Sequence, residues 1–164
     1  MDPKRVKVAE IMSTSVLALR TGATLREAMV SLERRGISGA PVLDEGGSCA
    51  GVFSLSNAAR AGDYYGAERP GGGAPLEATG AELDRETVAE WMSRDLKSVR
   101  STTSVEAAAR QMSLAGIHRL LVIDEGALVG IVSSLDIVRF VAGLARAAEE
   151  PVPEVEASSR TLGV

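Results

Sequence analysis

The sequence predicts an α+β fold, built from two β-α-β-β-α units whose sheets pack face to face. Three observations carry that prediction. The first is an internal repeat in a constant register. VAEIMS at Val8–Ser13 returns as VAEWMS at Val88–Ser93, a shift of 80 positions. GISGAPVLDE at Gly36–Glu45 returns as GIHRLLVIDE at Gly116–Glu125, again at 80. GVFSLSNAAR at Gly51–Arg60 returns as GIVSSLDIVR at Gly130–Arg139, now at 79, so one residue is lost in the intervening turn. Three segments in one register mark a duplicated unit. The second observation is a hairpin. Leu120–Ile123 and Leu128–Val132 are β-branched apolar runs joined by Asp124-Glu125-Gly126, residues that favour a tight turn. The third is size. A unit of about fifty residues buries too little surface to stand alone, so two must share a core.

The elements follow in order. Val8–Met12 reads as a short helix and Val16–Leu19 as a strand. Thr24 to Glu27 has the S/T-x-x-E spacing of a capping box, so a helix starts there. Leu25, Ala28, Met29 and Leu32 recur at helical spacing. Arg34 and Arg35 suit its C-terminus, and Gly36 ends it. Ala40–Leu43 is a strand. Pro41 has no N–H for a ladder, which puts it near a strand start or on an edge. Asp44–Ser48 turns, Ala50–Ser54 is the third strand, and a helix runs from about Ser56 to Ala61.

The second unit repeats this order. Val88–Met92 is its short helix, Lys97–Arg100 lies near a strand, and Ser104 caps a helix over Val105–Ala115 that Gly116 ends. A last helix runs from about Leu135 to Ala148. The expected division is residues 6–62 and 88–146 for the units, with 63–87 between them. That stretch holds YYGAERPGGGAPLEATG, rich in Gly and Pro without an apolar period, and reads as a surface linker. Residues 147–164 carry Pro151 and Pro153 and few apolar side chains, the composition of a disordered tail.

Composition narrows the function. The chain has 164 residues, 45% of them hydrophobic but only 3% aromatic, so aliphatic side chains must build the core. A net charge of −4 gives no general basic face for nucleic-acid phosphates. No 18-residue apolar run exists and the start lacks the apolar stretch of a signal peptide. A cytoplasmic protein is expected, with no membrane and no nucleic-acid partner. One His and one Cys leave no Cys-His or Ser-His-Asp set. No metal-ligand cluster stands out, and the triple glycine Gly71–Gly73 lacks the Lys-Ser/Thr of a phosphate loop. The chain is expected not to be an enzyme and to need no cofactor.

The paired β-α-β-β-α units, the VAEIMS opening and the Gly-x-x-Ser-x-x-Asp ending resemble tandem cystathionine-β-synthase (CBS) domains, the Bateman module. The resemblance covers roughly Val6 to Ala142 outside the long linker. It implies two sheets related by pseudo-twofold symmetry, with two clefts between them. It further implies a regulatory module, expected here to be stand-alone, that binds an adenine nucleotide (AMP, ADP or ATP) or S-adenosylmethionine or NAD. Such modules pair into homodimers and signal to a regulated partner protein, here unidentified. The alternative is a ligand-free dimerisation or protein-interaction module.

Six residues are candidates for the ligand. Asp136 stands at a helix start, where the family's Asp accepts hydrogen bonds from ribose hydroxyls. Its plainer use is to stabilise the helix end or to pair with Arg139. Ser133 reaches a phosphate or ribose, or caps the helix. His118 and Arg119 resemble the pair that nucleotide-binding members turn on phosphates, against a surface ion pair and a sheet-edge contact; a strand alternates its faces, which works against both reaching one ligand. The first unit departs from the pattern. Asn57 replaces Asp136, Ser38-Gly39 replaces His118-Arg119, and Ser54 matches Ser133. Losing the charged acceptor costs about 1 kcal/mol, or roughly fivefold in affinity. Unequal clefts are therefore expected, the Asp136 one tighter. The adenine ring is expected near Met12–Val16 and Met92–Leu96.

Overall fold

The computed structural model describes residues 2–67 and 83–143. The expectation for residues 147–164 lies outside them, as do residues 68–82. The fold is α+β with two three-stranded sheets. A short 3-10 turn at Val8–Glu10 leads. It is followed by β1 (Leu19–Arg20), α1 (Leu25–Arg35), β2 (Gly39–Leu43), β3 (Cys49–Ser54) and α2 (Leu55–Ala67). Then come α3 (Val88–Trp91), β4 (Ser98–Val99), α4 (Val105–Ala115), β5 (Arg119–Asp124), β6 (Ala127–Ser133) and α5 (Ser134–Val141). The sheet orders are β1-β2-β3 and β4-β5-β6. In each, the first strand runs parallel to its neighbour.

Local chemistry explains the helix ends. Thr24 Oγ1 accepts from the Glu27 N–H at 3.2 Å, and the Glu27 carboxylate accepts from the Thr24 N–H at 2.9 Å. Ser104 caps α4 by accepting from the Ala107 N–H at 3.2 Å. Gly36 and Gly116 end α1 and α4 with φ of 61° and 63°, where any other residue would be strained. The β5–β6 hairpin closes on Glu125 and Gly126, both at positive φ, the two-residue turn that matches strand twist.

Four details depart from the sequence expectation, the first being that the last helix ends at Val141 rather than near Ala148. α2 runs to Ala67, into the stretch read as linker. Gly62 and Gly66 each cost only about 1 kcal/mol in a helix, and the first true breaker, Pro70, comes later. β1 and β4 are two residues each, shorter than expected. Pro41 lies in the central strand of its sheet, fully buried. It is tolerated because β1 pairs only with Val42 and Leu43 and asks nothing of residue 41.

The residues form two compact units. One joins residues 2–16, Gly47–Cys49 and 96–143, around β4-β5-β6; the other joins 17–46, 50–67 and 83–95, around β1-β2-β3. Each leading turn thus sits on the sheet of the other repeat. In the β4-β5-β6 unit the Val8 N–H donates to the Thr103 carbonyl at 2.8 Å and the Val105 N–H to the Val6 carbonyl at 3.0 Å. In the β1-β2-β3 unit the Val88 N–H donates to the Ala23 carbonyl at 2.8 Å and the Leu25 N–H to the Glu86 carbonyl at 3.0 Å. Val8 and Val88 are both fully buried, worth about 1.5–3 kcal/mol apiece. Val8 joins Val99, Ala108, Met112, Leu120, Val122 and Val132 in one core. Val88 joins Leu25, Leu32, Val42 and Phe53 in the other.

Candidate functional site

Ser133 ends β6 in extended conformation and is the N-cap of α5. Its hydroxyl accepts from the Asp136 N–H at 3.2 Å. In return Asp136 Oδ2 accepts from the Ser133 N–H at 2.8 Å and from the Ser133 hydroxyl at 2.6 Å. This reciprocal capping box holds the carboxylate at the first turn of α5. The ladder brings Arg119 to the same place, since Arg119 and Ser133 are cross-strand partners. Arg119 is exposed. The structure therefore gathers Ser133, Asp136 and Arg119 at one end of the β5–β6 hairpin.

His118 takes a different direction. Its carbonyl accepts from the Ser134 N–H at 2.9 Å, which anchors it beside α5. With Met112, Ile117, Ser134, Ile137 and Val138 it lines a groove of about 550 Å³ between α4 and α5. Arg119 does not line that groove. His118 precedes β5, at a bend, whereas Arg119 is the first residue of that strand.

The leading segment completes this end of the unit. The Ser13 N–H donates to the Ile131 carbonyl at 2.7 Å, and the Ile131 N–H donates to the Ser13 carbonyl at 2.8 Å. This single antiparallel bridge lays the chain after Met12 along β6, in the compact unit that holds Asp136. The bridge depends on Gly130. A Cβ there would lie 2.6 Å from the Ser13 carbonyl oxygen and 2.8 Å from Met12 Sδ. The sequence division counts this segment within residues 6–62, whereas the fold places it with the β4-β5-β6 unit. A signal was present: glycines at 51 and 130, inside strands and in repeat register, mark a close backbone approach.

The β1-β2-β3 unit carries the counterpart. Asn57 Oδ1 accepts from the Ser54 N–H at 2.9 Å and from the Ser54 hydroxyl at 2.7 Å. Ser54 and Ser56 share a further hydroxyl contact of 2.7 Å. Asn57 is only 8% exposed. Gly39 occupies the place of Arg119, and a Cβ on it would lie 3.1 Å from the Ser54 Cβ. Ser93 bridges Val52 as Ser13 bridges Ile131. Among the described residues no group of three or more His, Cys, Asp or Glu could hold a metal ion. No helix among them is long and apolar enough to cross a membrane.

Both halves of the chain match one family description, the CBS domain, over residues 8–63 and 88–143. The chain belongs to the CBS domain family. Its CBS pair is 25% identical to the CBS domain of a CBS domain-containing membrane protein from Sphaerobacter thermophilus. That comparison has a TM-score of 0.64 and covers 83% of this chain and 88% of the other. CBSX2 in complex with AMP shares the fold at 22% identity and a TM-score of 0.66, covering 84% and 96% of the two chains. A CBS domain pair in complex with 5′-methylthioadenosine and S-adenosyl-L-methionine does so at 24% identity and 0.62, covering 84% and 97%. Among curated relatives, the A-adding tRNA nucleotidyltransferase of Aquifex aeolicus is 26% identical over 137 residues. The match takes in 84% of this chain and only 14% of that enzyme's length.

Proposed function

We propose that this CBS pair is a regulatory, non-enzymatic module that senses an adenosine-containing ligand (AMP, ADP or ATP first, S-adenosylmethionine or NAD next) at the Asp136 end of the β5–β6 hairpin. The observation that carries the reading is the capped carboxylate. Asp136 is an acceptor already fixed in place by Ser133 through two hydrogen bonds, so little side-chain freedom is lost when a ribose diol meets it. Charged acceptors make the stronger bonds, about 1.5–3 kcal/mol against about 0.5–1.5 for neutral ones. Arg119, opposite Ser133, supplies the guanidinium for a phosphate. Met12 to Val16, bridged to β6 at Ser13, supplies the adenine side. His118 is assigned to the α4–α5 groove rather than to the phosphate. CBS pairs of the same fold in complex with AMP or with S-adenosyl-L-methionine support the ligand class.

A cytoplasmic homodimer that signals to a partner protein fits the same reading. Leu135, Val138 and Val141 on α5 are 54%, 60% and 72% exposed and recur three residues apart, an apolar face for a second copy to cover. That surface also favours the second reading, a ligand-free interaction module. A thermal-shift panel of AMP, ADP, ATP, NAD and S-adenosylmethionine separates the two. Ligand at a hundredfold over Kd adds about 2.7 kcal/mol, or roughly 5–10 °C for a chain of this size. A flat panel at millimolar concentration removes the sensor reading and leaves the interaction module.

A further inference from the structure

Two features of the β4-β5-β6 unit adjoin at Val138. One is the groove of about 550 Å³ between α4 and α5, whose lining includes Met112, Ile117, Ile137 and Val138. The other is the α5 stripe of Leu135, Val138 and Val141. A helical ridge beside a groove is self-complementary: about a twofold axis, α5 of each copy lies in the groove of the other. The first repeat lacks this arrangement. Ser56, Ala59 and Gly62 stand in register where Leu135, Val138 and Val141 stand, and Ser38 stands where His118 stands. An apolar contact therefore falls on the second repeat. His118 is exposed and is the one titratable residue of the groove lining; Ser113 and Ser134 are its other polar side chains. The charged residues of the surrounding elements are Glu106 and Arg110 on α4, Arg119 and Asp124 on β5, and Asp136 and Arg139 on α5, and none of them lines the groove. Glu106 and Arg110 pair with each other at 3.3 Å. Asp136 accepts from Ser133, and Asp124 accepts from Ser101. On the α5 that a second copy would bring, Asp136 and Arg139 each lie about 100° of helix away from a member of the apolar stripe. Covering the groove thus takes an imidazole out of water with no carboxylate in the lining to hold its charge, which favours the neutral form.

We infer, resting on the homodimer proposed above, that the α4–α5 groove of the second repeat seats α5 of a second copy of this chain, and that His118 makes the contact proton-linked: closed at neutral pH, released on acidification. Each copy brings one His118, so separation takes up two protons per dimer. A histidine in water titrates at about 6.5 and is about nine-tenths protonated at about pH 5.5, so two of them weaken association by up to about a hundredfold. Overall charge works the other way. The chain carries a net charge of −4 at neutral pH, so mild acidification reduces repulsion between copies and by itself favours association. Weakening in acid therefore has to come from a specific group.

Sedimentation equilibrium of the full chain at constant ionic strength, at about pH 5.5 and about pH 7.5, one unit either side of an ordinary histidine, tests the inference. The dimer dissociation constant of the wild type is expected to be at least about tenfold higher at the lower pH. His118→Gln, neutral throughout, is expected to dimerise with a constant that changes less than about threefold between the two. The chain has one histidine, so its imidazole proton resonance gives a reading that needs no substitution and stands even where the variant fails to fold. Its titration midpoint is expected to fall as wild-type concentration is raised through the dissociation constant. A wild-type change under about tenfold, an equal change in folded His118→Gln, or a midpoint that does not move with concentration would each overturn the inference while the homodimer stands. A wild type that is monomeric at both pH values overturns both.

Discussion

Ser133 and Asp136 hold each other at the start of α5. The serine hydroxyl accepts from the aspartate N–H at 3.2 Å, and Asp136 Oδ2 accepts from the serine N–H at 2.8 Å. The candidate ligand-binding carboxylate is thus also a helix cap, and its two roles need separate readouts. Asp136→Ala should lower stability by about 1 kcal/mol, the worth of such a cap, and should also abolish the ligand-induced thermal shift. Asn57→Ala should cost a similar amount, because it orphans the Ser54 N–H, yet leave the ligand shift in place. Apo midpoints and ligand shifts measured on both variants check this. A surviving shift in Asp136→Ala would refute it.

Gly130 and Gly51 permit the bridges that seat the exchanged segments. Gly130→Ala drives a methyl against the Ser13 carbonyl and Met12 Sδ, and Gly51→Ala against Met92 Sδ at 2.6 Å and the Ser93 carbonyl at 2.7 Å. Overpacking of this kind costs about 1–3 kcal/mol. Gly22→Ala, with nothing within 4 Å of its added Cβ, is the control and should be close to neutral. Urea unfolding midpoints rank the three, and equal midpoints would refute the steric account.

Asp124 links the second hairpin to the loop after β4. Its Oδ1 accepts from the Ser101 N–H at 3.1 Å. Hydrogen bonds from Ser101 hold its carboxyl below the usual value, with Arg100 adding a smaller push the same way. The folded-state pKa is depressed, so the stabilisation is complete above the unfolded value. It drains away as pH falls below about 4. Asp124→Asn should therefore lower stability in the neutral region, change it little at acid pH where the wild-type carboxyl is protonated, and so flatten the acid limb of the stability curve. Chemical denaturation across pH 2.5–7 (approximate limits bracketing the carboxylate range) measures this. An acid limb of unchanged steepness would contradict it.

The exposed α5 face predicts self-association. Val138→Asp puts a charge on a side chain that is 60% exposed, so the subunit should fold while the dimer separates. Light scattering after gel filtration should report a dimer for the wild type and a monomer for the variant. A monomeric wild type would leave that face without its proposed occupant.

Much of the fold was legible because it is written locally. The Thr24–Glu27 box, the Ser104 cap, Gly36, Gly116 and the Glu125-Gly126 turn each act within a few residues. The exchange of the leading turns was not legible. Val8 and Val88 head near-identical segments, and each would satisfy the same backbone partners on either repeat, so only the folded chain assigns them. Pro41 is spared a ladder bond by register: β4 pairs with Leu121, the counterpart of Pro41, whereas β1, equally short, pairs with Val42 and Leu43. At the candidate site the residue types pointed to one end of the hairpin, where Ser133, Asp136 and Arg119 meet. That His118 lines the α4–α5 groove depends on the bend that precedes β5, which the sequence did not announce. The orientation of the Asn57 amide required the Ser54 N–H beside it.

The most direct measurement is a crystal structure of the wild-type chain soaked with AMP. The account predicts one AMP per chain, its 2′- and 3′-hydroxyls within about 3 Å of the Asp136 carboxylate and its phosphate on the Arg119 side. AMP bound through its ribose at Asn57, or seated away from Asp136 altogether, would contradict it.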